Sequence, residues 1–191
     1  MSNGLKKAMV LIAVLAVAGV LLASTIISGY NRVVIMDENV KNNWAQVEVQ
    51  LKRRFDLIPN LVATVKGYAA HEKGIFEDIA AARVKYFQAG TVKDKIEAAN
   101  QIEGPLSRLL LLQERYPDLK ANENFLKLQD SIEGTENRIA VARKRYNDAV
   151  MDLDAYIRTV WGRLYAGLAN VGPAPYYQPP QGEEAAPQVK F

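Results

Sequence analysis

Residues 125–161 read FLKLQDSIEGTENRIAVARKRYNDAVMDLDAYIRTVW. Phe125, Leu128, Ile132, Thr135, Ile139, Ala142, Tyr146, Ala149, Leu153 and Tyr156, then Val160 and Trp161, recur at alternating steps of three and four. Such steps keep side chains on one seam of a helix, and the seam is buried by packing on another helix. The same period marks two earlier stretches. One runs through Val33, Val40, Trp44, Val47, Leu51, Phe55 and Ile58, the other through Leu61, Val65, Tyr68, Ile75, Ile79 and Tyr86. No stretch alternates with period two over a useful length, so no strand is predicted. The chain reads as all-α, with coiled-coil-like seams packed into an antiparallel, up-and-down bundle of long helices.

Punctuation sets the boundaries. Gly90 followed by Thr91-Val-Lys-Asp94 reads as a helix stop and then a capping box. Tyr116-Pro117-Asp118 closes the next helix, and Asn122 caps the last. Pro59 disfavours helical geometry at Ile58. A reversal there gives four helices, near 30–57, 59–88, 92–115 and 122–168. A mere kink gives three, the first very long. Both readings stand at this point.

Upstream of the body, residues 8–27 carry no charge and no proline. Twenty such residues at about 1.5 Å each span roughly 30 Å, the thickness of a bilayer's hydrocarbon core. A signal peptide cut near Ala23 is the competing reading. The run continues through Ile26–Ile27 and its small-residue pattern makes a poor cleavage site, so an uncleaved anchor is expected. Lys6 and Lys7 crowd the short side, against Arg32 and Lys41 on the other, which puts the N-terminus in the cytoplasm and the body outside. Within the span, Ala16, Gly19 and Ala23 repeat near four-residue spacing and would let two membrane helices approach closely. Downstream, Pro173, Pro175, Pro179, Pro180 and Pro187 exclude helix from the end of the chain. The expected layout is a short segment 1–7, an anchor 8–29, a bundle 30–170 and a flexible tail 171–191.

Composition narrows the chemistry. The chain has 191 residues, no cysteine and one histidine, His71. Disulfides, thiolate metal sites and cysteine nucleophiles are therefore excluded. A net charge of +3, from 24 basic and 21 acidic residues, gives no bulk sign of nucleic-acid binding. His71-Glu72 begins like a zinc-protease helix, but position 75 is isoleucine, so His71 reads as a partly exposed helix residue. No phosphate loop, dinucleotide fingerprint or nucleophile elbow occurs. Neither an enzyme activity nor a cofactor is expected. Two basic runs remain, Lys52-Arg53-Arg54 and Arg143-Lys144-Arg145, candidates for phosphate or anionic lipid. Their flanking seam residues and acidic neighbours favour solvated helix faces instead. Trp44 reads as a core anchor.

Several segments together resemble the LemA family: WAQVEVQLKRRFDLIPNLV (44–62), VKGYAAHE (65–72), YPDLKAN (116–122) and ARKRYN (142–147). With the apolar run and Gly29-Tyr-Asn31, the resemblance covers about residues 5–168. It implies a single N-terminal membrane helix, an antiparallel helical bundle and a place in the bacterial inner membrane, and no established activity. Two departures stand out. Gly104-Pro105 interrupts the third helix, which is expected to be kinked or split. Thr159-Val-Trp-Gly-Arg-Leu-Tyr165 replaces a proline-containing segment.

The functional expectation is a membrane-tethered scaffold that self-assembles at the bilayer surface. The alternative is an accessory factor for a client membrane enzyme or signalling protein. A third possibility, a hydrolase, requires turnover lost on His71→Ala. Aromatic and basic residues near the end of the last helix, namely Tyr156, Arg158, Trp161, Arg163, Leu164, Tyr165 and Leu168, suit a membrane interface. That placement requires four helices; if Pro59 only kinks one long helix, the end points away from the membrane.

Overall fold

The computed structural model describes the backbone of residues 3–178 and the side chains of Met9 and residues 11–178. The remainder of the expected flexible tail, 179–191, lies outside the described residues, as do residues 1–2. All regular structure among the described residues is helical: α1 (Asn3–Lys66), α2 (Lys73–Gln88), α3 (Val92–Gln101), α4 (Glu103–Leu111), α5 (Pro117–Lys120), α6 (Glu123–Ile157) and α7 (Val160–Ala169). A 3-10 turn at Leu112–Glu114 precedes α5. The chain divides into two units, Met1–Asn42 with Asp148–Ala174, and Asn43–Asn147 with the residues from Pro175 onward.

Contacts fix the directions of helices in the second unit. Lys66 lies over the Phe76 ring at 5.2 Å and Phe55 stacks on Tyr86 at 4.3 Å, so α1 and α2 are antiparallel. Asp78 pairs with Arg108 at 2.6 Å and Lys85 with Gln101 at 3.0 Å, so α3–α4 runs against α2. Trp44 meets Tyr146 edge-on at 5.3 Å while Arg54 pairs with Glu136, so α6 runs against α1. The result is the up-and-down order expected from the seams, with four arms.

The boundaries differ from the expected ones. Pro59 neither reverses the chain nor ends the helix; it sits exposed inside α1. An interior proline costs about 3 kcal/mol, but Phe55, Ile58, Leu61 and Val65 around it are all buried. Each such burial is worth roughly 1.5–3 kcal/mol, which outweighs the local penalty. The reversal falls instead at residues 67–72, so the very long first helix and the four-armed bundle coexist. His71 lies exposed in that turn, not in a helix. The capping signals hold: Thr91 Oγ1 accepts from Asp94 N at 3.1 Å, and Asn122 Oδ1 accepts from Phe125 N at 2.9 Å. The third arm is split at Ile102, which puts Pro105 in the first turn of α4, where no helical donor is lost.

The last helix was expected as one piece from 122 to 168, but it breaks after Ile157. Thr159 caps α7, its Oγ1 accepting from Gly162 N at 3.0 Å. The break explains where the seam fails: its members through Leu153 are buried or half-buried, whereas Val160 is 85% exposed and Trp161 66%.

Candidate functional site

Within the first unit, α1 continues from the apolar run, whose described side chains, Met9 and residues 11–27, are all exposed, and which is long enough to cross a membrane. Just past that run, α7 packs on it. Val33, Tyr165 and Ala166 form a small core joined by Tyr156, Ile157, Ala169 and Val171. Gly29 makes the approach possible, because a Cβ there would lie 2.2 Å from the Tyr165 ring. Arg32 lies 4.6 Å over the Tyr156 ring. Asn170, in the left-handed region at φ 52°, ends α7 by donating to Ala166 and Gly167 carbonyls.

This packing sorts the expected interfacial residues. Tyr165 and Tyr156 face inward. Trp161, Leu164 and Leu168 face outward together with Val160, which the sequence reading did not include, and Arg158 and Arg163 are exposed near them. A ten-residue helix thus carries one apolar stripe against α1 and a second one uncovered. Ala16, Gly19 and Ala23 lie on the exposed surface of the span, with open space around Gly19.

The second unit holds a buried charge cluster that the sequence reading missed. Arg54 was grouped with a solvated basic run, yet its side chain is 0% exposed. Its Nη2 donates to Glu103 Oε1 at 2.6 Å and its Nη1 to Glu136. Arg143 donates to the same Glu103 oxygen at 3.2 Å and lies 3.8 Å from Glu136. Neither Arg54 nor Arg143 belongs to a surface patch. Lys52 is exposed and pairs with Asp56 at 2.7 Å; Arg53, Lys144 and Arg145 are exposed. A signal for Arg54 was present: it falls three residues after Leu51 and four before Ile58, inside the seam. Two guanidiniums engage both carboxylates in one charge-assisted network. Among the described residues, no three His, Asp or Glu side chains converge to hold a metal ion.

Beside this cluster, residues 175–178 are seated on the bundle. The expectation of a floppy tail fails here. Tyr177 is only 3% exposed, against Trp44 at 6.5 Å and with Arg143 4.4 Å over its ring. Burial pushes its phenol above the ordinary range, with the Arg143 charge pulling the other way.

Fold and surfaces together define a class: an all-helical protein with, among the described residues, one N-terminal helix apolar and long enough to span a membrane. Residues 43–191 match the LemA family, and the chain belongs to it. It is similar to magnetosome protein MamQ 2 of Paramagnetospirillum magneticum, 26% identical over 93% of this chain and 74% of that one. It is also similar to magnetosome protein MamQ of Magnetospirillum gryphiswaldense, at 25% over 88% and 70%. Protein LemA of Metamycoplasma hominis is 25% identical over 72% of this chain and 64% of its own.

Proposed function

We propose that the protein is a non-enzymatic, membrane-anchored helical scaffold that self-assembles at a bilayer surface. The observation that carries this reading is the uncovered stripe of Val160, Trp161, Leu164 and Leu168 on α7, which packs on α1 just past the apolar span. Exposed apolar side chains in such a row, flanked by Arg158 and Arg163, suit the headgroup boundary of the membrane that the span enters. The partners in this reading are the bilayer and further copies of the chain, with the Ala16–Gly19–Ala23 face of the span available for contact between copies. The likeness to proteins named for magnetosomes supports a part in membrane organisation.

The test is the mass of the detergent-extracted protein, by light scattering, together with its image. A defined assembly of many copies is expected. A strict monomer would sink the scaffold and leave the client-binding accessory factor in its place. For topology, the bundle is placed outside the bacterial inner membrane. A cysteine at the exposed position Lys127, in a chain with none of its own, is expected to label with an impermeant reagent on spheroplasts. Labelling only after lysis reverses that orientation.

A further inference from the structure

Residues 175–178 contact the bundle in the manner of a bound peptide. The Asn147 side chain grips the main chain of Tyr177 from both sides: its Oδ1 accepts from Tyr177 N at 2.8 Å and its Nδ2 donates to Tyr177 O at 2.9 Å. Tyr146 Oη donates to the Pro175 carbonyl at 2.6 Å. Asn100 Nδ2 donates to the Gln178 carbonyl at 2.8 Å. Four hydrogen bonds thus read the backbone of residues 175–178, and a single side chain, Tyr177, fills a pocket bounded by Trp44 and Arg143. The segment has no regular secondary structure. All its recognition is local to four residues, and nothing in it depends on being attached to this copy. Main-chain hydrogen bonds with one anchoring side chain are how extended peptides are commonly held.

From this we infer that the cleft formed by Trp44, Asn100, Arg143, Tyr146 and Asn147 is a binding site for a Pro-Xaa-Tyr segment. The chain fills it with its own Pro175–Gln178, and the segment from a second copy can take the same seat. The exchange is chemically neutral, since the bonds lost in one chain are those made between two. It is limited by the tethered segment, which competes at an effective concentration on the order of millimolar. The inference concerns this cleft and stands apart from the apolar stripe of α7 and the span.

The probe is a fluorescein-labelled peptide of residues 173–179, PAPYYQP, added to the full-length protein in detergent and followed by anisotropy. Tyr177→Ala empties the pocket and should bind the probe at least tenfold more tightly than the parent. Adding Asn147→Leu to that variant should weaken binding tenfold or more, because the bidentate grip is gone. A Tyr177→Ala protein that keeps its helical signal and melting temperature yet binds no better than the parent overturns the site. So does binding indifferent to Asn147→Leu. The source is tested by mixing two tagged chains: Tyr177→Ala supplies an empty cleft, and Asn147→Leu supplies a free tail. The mixture is expected to co-purify at least fivefold above either variant mixed with itself. No excess in the mixture rejects the second copy as occupant. The parent's mass is read separately, so loss of the scaffold reading and loss of this one are distinguishable.

Discussion

Replacing Arg54 by methionine is expected to cost the bundle about 3 kcal/mol, the low end of what breaking a buried ion pair costs. The methionine fills much of the volume, so the loss is electrostatic. Glu103 and Glu136 lose the guanidinium that bridges them, with only Arg143 left to serve both. The carboxylates are 20% and 42% exposed, so water compensates in part, which sets the figure at the low end. For a chain of this size the drop corresponds to about 6–12 °C in melting temperature, read by circular dichroism on the detergent-solubilised protein. Arg53→Met, one residue away and exposed, should stay within about 0.5 kcal/mol. Arg54→Met combined with Glu136→Gln should regain at least half of the loss, since Glu103 keeps its bond from Arg143 and no carboxylate is then stranded. Equal melting temperatures for the Arg53 and Arg54 variants would falsify the buried bridge.

Arg54 also shows how far a sequence of this kind can be read. Period alone placed Val47, Leu51, Phe55, Ile58, Ile132, Ile139, Tyr146 and Leu153 in the core, because a seam is a local property of the helix that carries it. Caps at Thr91 and Asn122 were legible for the same reason: their partners lie three residues away. What was missed depends on residues distant in the chain. Arg54 finds Glu136 across the bundle, Tyr177 finds Asn147 and Trp44, and Gly29 admits the ring of Tyr165. A basic triplet looks like a solvated face until one of its members is counted into the seam. Pro59 misled in the opposite direction. Its local penalty is real, but four buried neighbours in the same helix outweigh it, and the weaker signal of Gly67 near the true turn went unread. Proline disfavours a helix interior, but a segment that holds Pro175 can still settle in a cleft, as residues 175–178 do.

Gly162→Ala is expected to unseat α7, and with it the outward apolar stripe. A Cβ at 162 would stand 1.9 Å from the Tyr156 carbonyl oxygen and 2.7 Å from Thr159 Oγ1. Those atoms cannot yield freely. Thr159 donates its backbone N–H and its hydroxyl to the Tyr156 carbonyl, at 3.0 and 2.8 Å, and the hydroxyl oxygen accepts from Gly162 N. Forcing a methyl group into this turn costs about 1–3 kcal/mol. The seat of α7 rests mainly on burying the Tyr165 ring, with Ala166, against α1. Burying one large side chain is worth roughly 3 kcal/mol at most, so the insertion consumes a large part of what holds the helix down. Gly167→Ala, in the same helix with nothing near its added carbon, should instead stabilise by about 0.5–1 kcal/mol, the ordinary gain of alanine over glycine. The readout is Trp161 fluorescence in a Trp44→Phe background reconstituted in lipid. Shallow bromolipids should quench the Gly162 parent and the Gly167→Ala variant alike, and quench Gly162→Ala less than half as much. A parent whose Trp161 is fully open to aqueous iodide and untouched by bromolipid has no interfacial helix there. If the parent is quenched and Gly162→Ala equally so, the stripe meets lipid without needing the Thr159 turn, and the glycine serves only the local fold.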